Sequence, residues 1–168
     1  GILIPNLHKA LFVVRHFMTD SEKIELLKVL GQIRKERCYP GFFNLSDFEN
    51  GKYDSEYVSP YTKGSRNVNS PIFVMLQDWA SKDRILKGLE NEAITLGYIP
   101  SLPTNRNLGK LLYETFGCQI ADVFTTNLFP FIKPGGMDSA ISVRYLRKAF
   151  TEFALPQIKV VSPRLVIC

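Results

Sequence analysis

The sequence predicts an α/β domain on a largely parallel sheet, and two patterns carry the prediction. Short apolar runs near residues 72–76, 122–126 and 164–168 read as strands, and amphipathic helical repeats separate them. Strands that alternate with helices form strand–helix–strand units, whose helices cover both faces of a parallel sheet. A chain of 168 residues holds one domain with a sizeable core, so residues 1–168 are read as a single domain.

The first segment, "LHKALFVVRHF", is too short and too charged to span a membrane, and it lacks the small-residue site of a secretory signal. No membrane partner is expected. His8 and His16 lie eight apart without cysteine or carboxylate company, and they read as helix-surface or core residues. "TDSEKIELLKVLGQIRKER" opens on Thr19 with Glu22 three residues later, a capping-box pattern, and Ile24, Leu27, Leu30 and Ile33 recur at helical spacing. From Cys38 to Ser70 periodicity vanishes and Pro, Gly, Asn and Ser punctuate the chain. An irregular stretch of that length inside a domain is unusual and often functional. Its end, "YTKGSRNVN", combines Tyr61, Lys63, Ser65 and Arg66 in a form that suits phosphate, and it suits a solvated loop equally well.

After the strand "IFVML", "SKDRILKGLENEAITLG" reads as one helix, with Ile85, Leu86, Leu89, Ala93 and Leu96 on a face and Gly97 as its stop. "NRNLGKLLYETFG" repeats that design and ends at Gly117. "ADVFTTN" is the second strand. Asp138 is expected to cap the helix of "SAISVRYLRKAFTEFAL", which Pro156 disturbs or bends. "RLVIC" is the third strand.

Composition excludes more than it selects. The chain is 45% hydrophobic and 22% charged, so disorder is not expected. A net charge of +5 tilts towards a polyanion without requiring one. Cys38, Cys118 and Cys168 form no C-x-x-C pair. Disulfide and zinc frameworks are therefore not expected, and a reducing, cytoplasmic location is the default. No metal and no cofactor are expected. P-loop, G-x-G-x-x-G, H-E-x-x-H and G-x-S-x-G motifs are all missing from the chain.

The polar residues beside the strands are the candidate site. Ligands of open α/β sheets sit beyond the carboxyl ends of the strands. Gln77 and Asp78 follow the first strand, and Asn127 follows the second. Each has a plainer explanation, because Asp and Asn favour turns and Asp78 is placed to cap the next helix.

From Val58 to Cys168 the chain resembles the uracil-DNA glycosylase superfamily. Leu76-Gln77-Asp78-Trp79-Ala80 matches the family's strand-end motif, G-Q-D-P-Y or G-E-A-P-G. "VFTTNLFPFIKPGG" is similar to its strand ending in asparagine, and "LPQIKVVSPRLVIC" to its last approach and strand. The resemblance implies a three-layer αβα sandwich and hydrolysis of the N-glycosidic bond of uracil, or of a related deaminated base, in DNA. Asp78 then takes the acidic position that orients water and stabilises the sugar cation. Gln77 contributes backbone to the base pocket, Asn127 reads the uracil edge, and Tyr98 is the nearest aromatic to stack on the base. Lys63, Arg66 and Lys133, which flank the strand-end loops, are assigned to DNA phosphates.

The departures are specific. Leu76 and Trp79 stand where the family has Gly and Pro, which implies a bulkier floor. Phe131 and a solitary Cys38 leave no ligand set for the iron–sulfur branch. The family's His-Pro-Ser-type loop has no counterpart, which implies either a piece of a longer protein or impaired chemistry. Three functions follow in order: a monomeric glycosylase acting on uracil-containing DNA, a binding module of the same superfamily without full catalysis, and an unrelated small-molecule α/β enzyme.

Overall fold

The computed structural model describes residues 18–168, so the "LHKALFVVRHF" stretch with His8 and His16 lies outside the described residues. The fold is mixed α/β around a small open sheet of three parallel strands. β1 (Ile72–Asp78) is central, with β2 (Phe124–Phe129) on one side and β3 (Leu165–Ile167) on the other. Among the described residues no helix is long and apolar enough to cross a membrane.

Helix α1 (Asp20–Glu36) starts where its capping box requires. Thr19 Oγ accepts the Glu22 N–H at 3.3 Å, and the Glu22 carboxylate accepts the Thr19 N–H at 2.7 Å. It buries Leu27, Leu30 and Gly31. A Cβ at Gly31 would fall on the carbonyl of Glu56, so the backbone of residues 56–57 lies directly against the helix. The irregular stretch after α1 contains only short 3-10 turns, yet it buries Tyr39, Leu45, Tyr53, Tyr57, Val58 and Tyr61. It behaves as part of the core.

β1 alternates between two apolar clusters, as the period of two in a strand requires. Phe73 and Met75 pack with Leu27 and Leu30 of α1, with Phe153, and with Val160 of α6 (Leu155–Val161). Ile72 and Val74 pack with Leu108 and Leu112 of α4 (Pro103–Phe116). That helix ends at Gly117, in the left-handed region at φ 67°, as the sequence predicts.

Three expectations need correction. The helix read across residues 81–97 is two short ones, α2 (Lys82–Leu86) and α3 (Asn91–Thr95). Gly88 adopts φ 86° and turns the chain, and Arg84 holds the corner by donating to the Gly88 carbonyl and pairing with Glu90 at 2.9 Å. Asp138 does not cap the next helix. The turn closed by Ser139 N–H on the Gly136 carbonyl leaves Ser142 at the N-cap of α5 (Val143–Ala149). Pro156 disturbs the helical run, as the sequence predicts, without ending it. A π turn (Phe150–Ala154) joins α5 to α6, and Leu155 N–H reaches back to the Phe150 carbonyl, which accommodates the proline's missing donor. Finally, β1 and β2 continue past their apolar runs, so Gln77, Asp78 and Asn127 are strand residues rather than residues of following turns.

Two glycines with similar φ angles should respond differently to alanine. Gly97 (φ 77°) would place a Cβ on the Pro60 carbonyl, whereas a Cβ at Gly88 meets nothing within 4 Å. Gly88→Ala should cost about 1 kcal/mol of conformational strain. Gly97→Ala should cost several kcal/mol, because backbone must move as well. Urea denaturation of the two variants checks this, and equal losses would contradict the close approach at Gly97.

Candidate functional site at the carboxyl end of the sheet

The register of β1 on β2 sets Leu76 beside Asn127 and Asp78 beside Phe129. Paired residues of parallel strands project to one side, and residues two apart share a face. Asp78 and Asn127 therefore occupy the same face of adjoining strands, with Asp78 two positions nearer the carboxyl end.

Asn127 has no solvent exposure. Its Oδ1 accepts the Ser59 hydroxyl at 2.5 Å, while its Nδ2 is buried without a hydrogen-bond partner. An unpaired buried donor costs roughly 1–3 kcal/mol, so this amide is held at a penalty. Ser59 is itself fixed, because its Oγ caps the turn Pro60–Lys63 by accepting the Tyr61 N–H at 3.3 Å. Thr62 Oγ1 donates to the Ser59 carbonyl and lies 3.0 Å from Ser55 Oγ.

Asp78 pairs with Lys133, the cation that the resemblance assigned to DNA phosphate. Its Oδ2 lies 3.0 Å from Lys133 Nζ, and the two side chains are only 9% and 4% exposed. The approach is too oblique for a directed hydrogen bond, which leaves Oδ2 with charge contact alone. Oδ1 accepts from Gln77 Nε2 at 3.3 Å, and Lys133 Nζ donates to the Met137 carbonyl at 2.5 Å. The backbone holds this lysine in place. Lys133 bridges to Ser81, and its carbonyl accepts the Lys82 N–H at 2.9 Å.

An aromatic pair completes the face. Tyr61 and Tyr98 stack with ring centroids 5.5 Å apart and planes 4° from parallel, and Tyr61 donates to Asn105 Oδ1 at 2.6 Å. Burial pushes the Tyr61 hydroxyl above the ordinary tyrosine range, against the Asn105 hydrogen bond, and the Asp78 charge adds to the rise. Burial raises Tyr98 too. Two glycines and the single tryptophan seat Tyr98. A Cβ at Gly64 would crowd its ring at 3.1 Å, Gly97 lies against Pro60, and Trp79 Nε1 donates to the Gly97 carbonyl at 2.7 Å. Trp79 is thus the anchor of the loop that carries Tyr98.

The structure brings Asp78 and Asn127 onto one face, with Tyr61 within electrostatic reach of Asp78, and it gives each of the three cations assigned to phosphate another place. Lys133 is an internal counterion. Lys63 Nζ donates to the carbonyls of Lys52 and Ile94 at 3.2 and 3.0 Å, and burial lowers its pKa, so it ties two loops together. Arg66 is exposed but pairs with Phe124, five residues from the Phe129 end of β2. At 3.3 Å per residue that is roughly 16 Å from the Asp78 end of the sheet. Gln77 is exposed at the rim. Sequence reasoning missed Ser59, Asn105 and the loop-anchoring role of Trp79. Only the Ser-Pro pair at 59–60 carries a local signal, that of a helix start.

Among the described residues no group of three or more His, Cys, Asp or Glu is placed to hold a metal ion. The fold and site thus define an α/β protein with a polar, aromatic-flanked face at the carboxyl end of a parallel sheet. No known family, curated protein or solved structure matches the chain.

Removing one partner of the buried pair should expose its energetics. Lys133→Met strands the Asp78 carboxylate and should destabilise by about 3–5 kcal/mol, and the double variant Lys133→Met/Asp78→Asn should recover most of the loss. Chemical denaturation of the three proteins checks this. A double variant as unstable as Lys133→Met would mean that Lys133 acts through packing rather than charge.

Proposed function

We propose that the Asp78–Asn127 face is the base and sugar site of a DNA glycosylase that removes uracil or a related deaminated base. The observation that carries this reading is Asn127, a fully buried amide with Oδ1 held by Ser59 and Nδ2 unpaired, on the same face as a carboxylate. A carboxamide offers a donor and an acceptor side by side. That pair complements the O4 and N3–H of uracil and opposes the donor and acceptor order of cytosine. The base must leave the duplex to reach it, and Tyr98 is the ring on which it stacks.

Heterolysis leaves the electron pair of the C1′–N1 bond on the base and positive charge on the sugar. Water then attacks C1′ and gives up a proton. Asp78 stabilises the developing cation and accepts that proton. The alternation of β1 between the α1/α6 cluster and the α4 cluster supports the three-layer αβα arrangement of the uracil-DNA glycosylase superfamily. A second reading, a binding module with impaired catalysis, is favoured by one observation. Lys133 Nζ neutralises Asp78 at 3.0 Å, and a carboxylate so paired does less for a sugar cation.

Single-turnover cleavage and equilibrium binding on matched uracil and thymine duplexes separate the two readings. Asp78→Asn should slow base release by at least about a hundredfold with little change in binding, because its interaction grows in the transition state. Asn127→Ala should weaken uracil binding and narrow its margin over thymine. Binding should also fall steeply with salt. Retention of uracil DNA without cleavage supports the binding module. If both substitutions leave both quantities unchanged, the glycosylase site is not here.

A further inference from the structure

A second surface feature adjoins the site through Tyr98. It is a cleft of about 280 Å³, lined by Tyr98, Asn105, Arg106, Gly109, Tyr113 and Gln119 among others. That volume suits a single nucleobase with part of its sugar, at the small end of ligand clefts. Asn105, Gly109 and Tyr113 recur at intervals of four on α4, so one helical face forms the wall.

Three features of that wall select a ligand. Tyr98 already stacks on Tyr61 through one ring face, and Tyr113 is 69% exposed at the rim. Arg106 is exposed, and its guanidinium has no carboxylate within ion-pair reach among the described residues. Gly109 is a glycine inside a helix, where it costs about 1 kcal/mol relative to alanine. Its Cβ would meet only Ile120 Cδ1, at 3.8 Å, so packing does not demand it. The missing side chain leaves the helix wall flat.

We infer that this cleft binds one nucleotide of a single-stranded polynucleotide, with its base on the exposed Tyr113 ring and its phosphate on Arg106. Base–aromatic stacking tolerates any sequence, and an unpaired arginine beside a ring supplies the backbone contact. Asn105 joins the two sites, because it lines the cleft and accepts the Tyr61 hydroxyl. The bound nucleotide is then a neighbour of the one at the Asp78–Asn127 face. The inference rests on nucleic acid as the partner, and it does not require base release.

The test is fluorescence anisotropy of the full chain with a labelled, uracil-free oligothymidylate, alongside a uracil-release assay. Tyr113→Ala should raise Kd roughly tenfold, in keeping with the loss of one stacked base. Arg106→Ala should raise Kd and reduce the salt slope by about 0.7, the value for one phosphate of a single strand. Gly109→Leu, which fills the cleft and retains helix propensity, should raise Kd without lowering stability. Oligonucleotide affinity unchanged in all three variants, or absent from the unsubstituted protein, overturns the inference. Thymidine monophosphate binding as tightly as the oligonucleotide also overturns it, because the cleft would then serve free nucleotides. A protein that releases no uracil but loses oligonucleotide affinity in these variants refutes the glycosylase reading and leaves the cleft standing.

Discussion

A guanidinium with no contact to solvent has to find its counter-charge inside the protein, and Arg34 finds it in Asp54. Breaking such a pair leaves a buried charge alone, at about 3–5 kcal/mol. The contact therefore fixes where the chain can run between α1 and β1. Asn44 reinforces it, accepting from Arg34 at 3.1 Å and donating to the carbonyls of Lys35 and Arg37. With Asp54 held, the backbone of residues 56–57 presses on Gly31, and Ser59 arrives at Asn127. An irregular stretch with no ladder of its own becomes a wall of the candidate site.

Among the described residues three buried side-chain polar atoms lack a hydrogen-bond partner, and two of them lie at the carboxyl end of the sheet, the third being Arg34 Nε. Buried polar groups in folded proteins are nearly all hydrogen-bonded. Here Asn127 Nδ2 is unpaired, and Asp78 Oδ2 has charge contact without a directed donor. Such local violations cluster where function outweighs stability. The two groups share a face, and both sit among side chains placed by distant parts of the chain. Asp78 and Lys133 are 55 positions apart, yet the parallel bridge of Ser81 with Lys133 brings them together. That bridge makes Lys133 an internal partner of the site rather than a surface cation.

The helical elements show where local signals suffice and where they mislead. The Thr19–Glu22 box and Gly117 act within a few residues, and both elements form where the sequence places them. Gly88 is different. Helical periodicity runs straight across it, but the Arg84–Glu90 pair stabilises the turn that its left-handed backbone permits. Pro156 sides with the first two. Its missing donor disturbs the helical ladder locally, and the π turn before it is that disturbance.

What the sequence determined by itself was the alternation of strand and helix, the parallel character of the sheet and the residue types at the ends of its strands. Apolar periodicity and glycine and capping chemistry are local, so they can be read within a dozen residues. The tertiary structure alone decided the partners: Ser59 with Asn127, Lys133 with Asp78, Tyr61 with Tyr98, and Arg66 at the far end of the sheet from them. Each depends on strand register and on chain closure over tens of residues. No local pattern encodes those, because a strand interior and a strand end can have the same composition until a neighbouring strand is paired beside them.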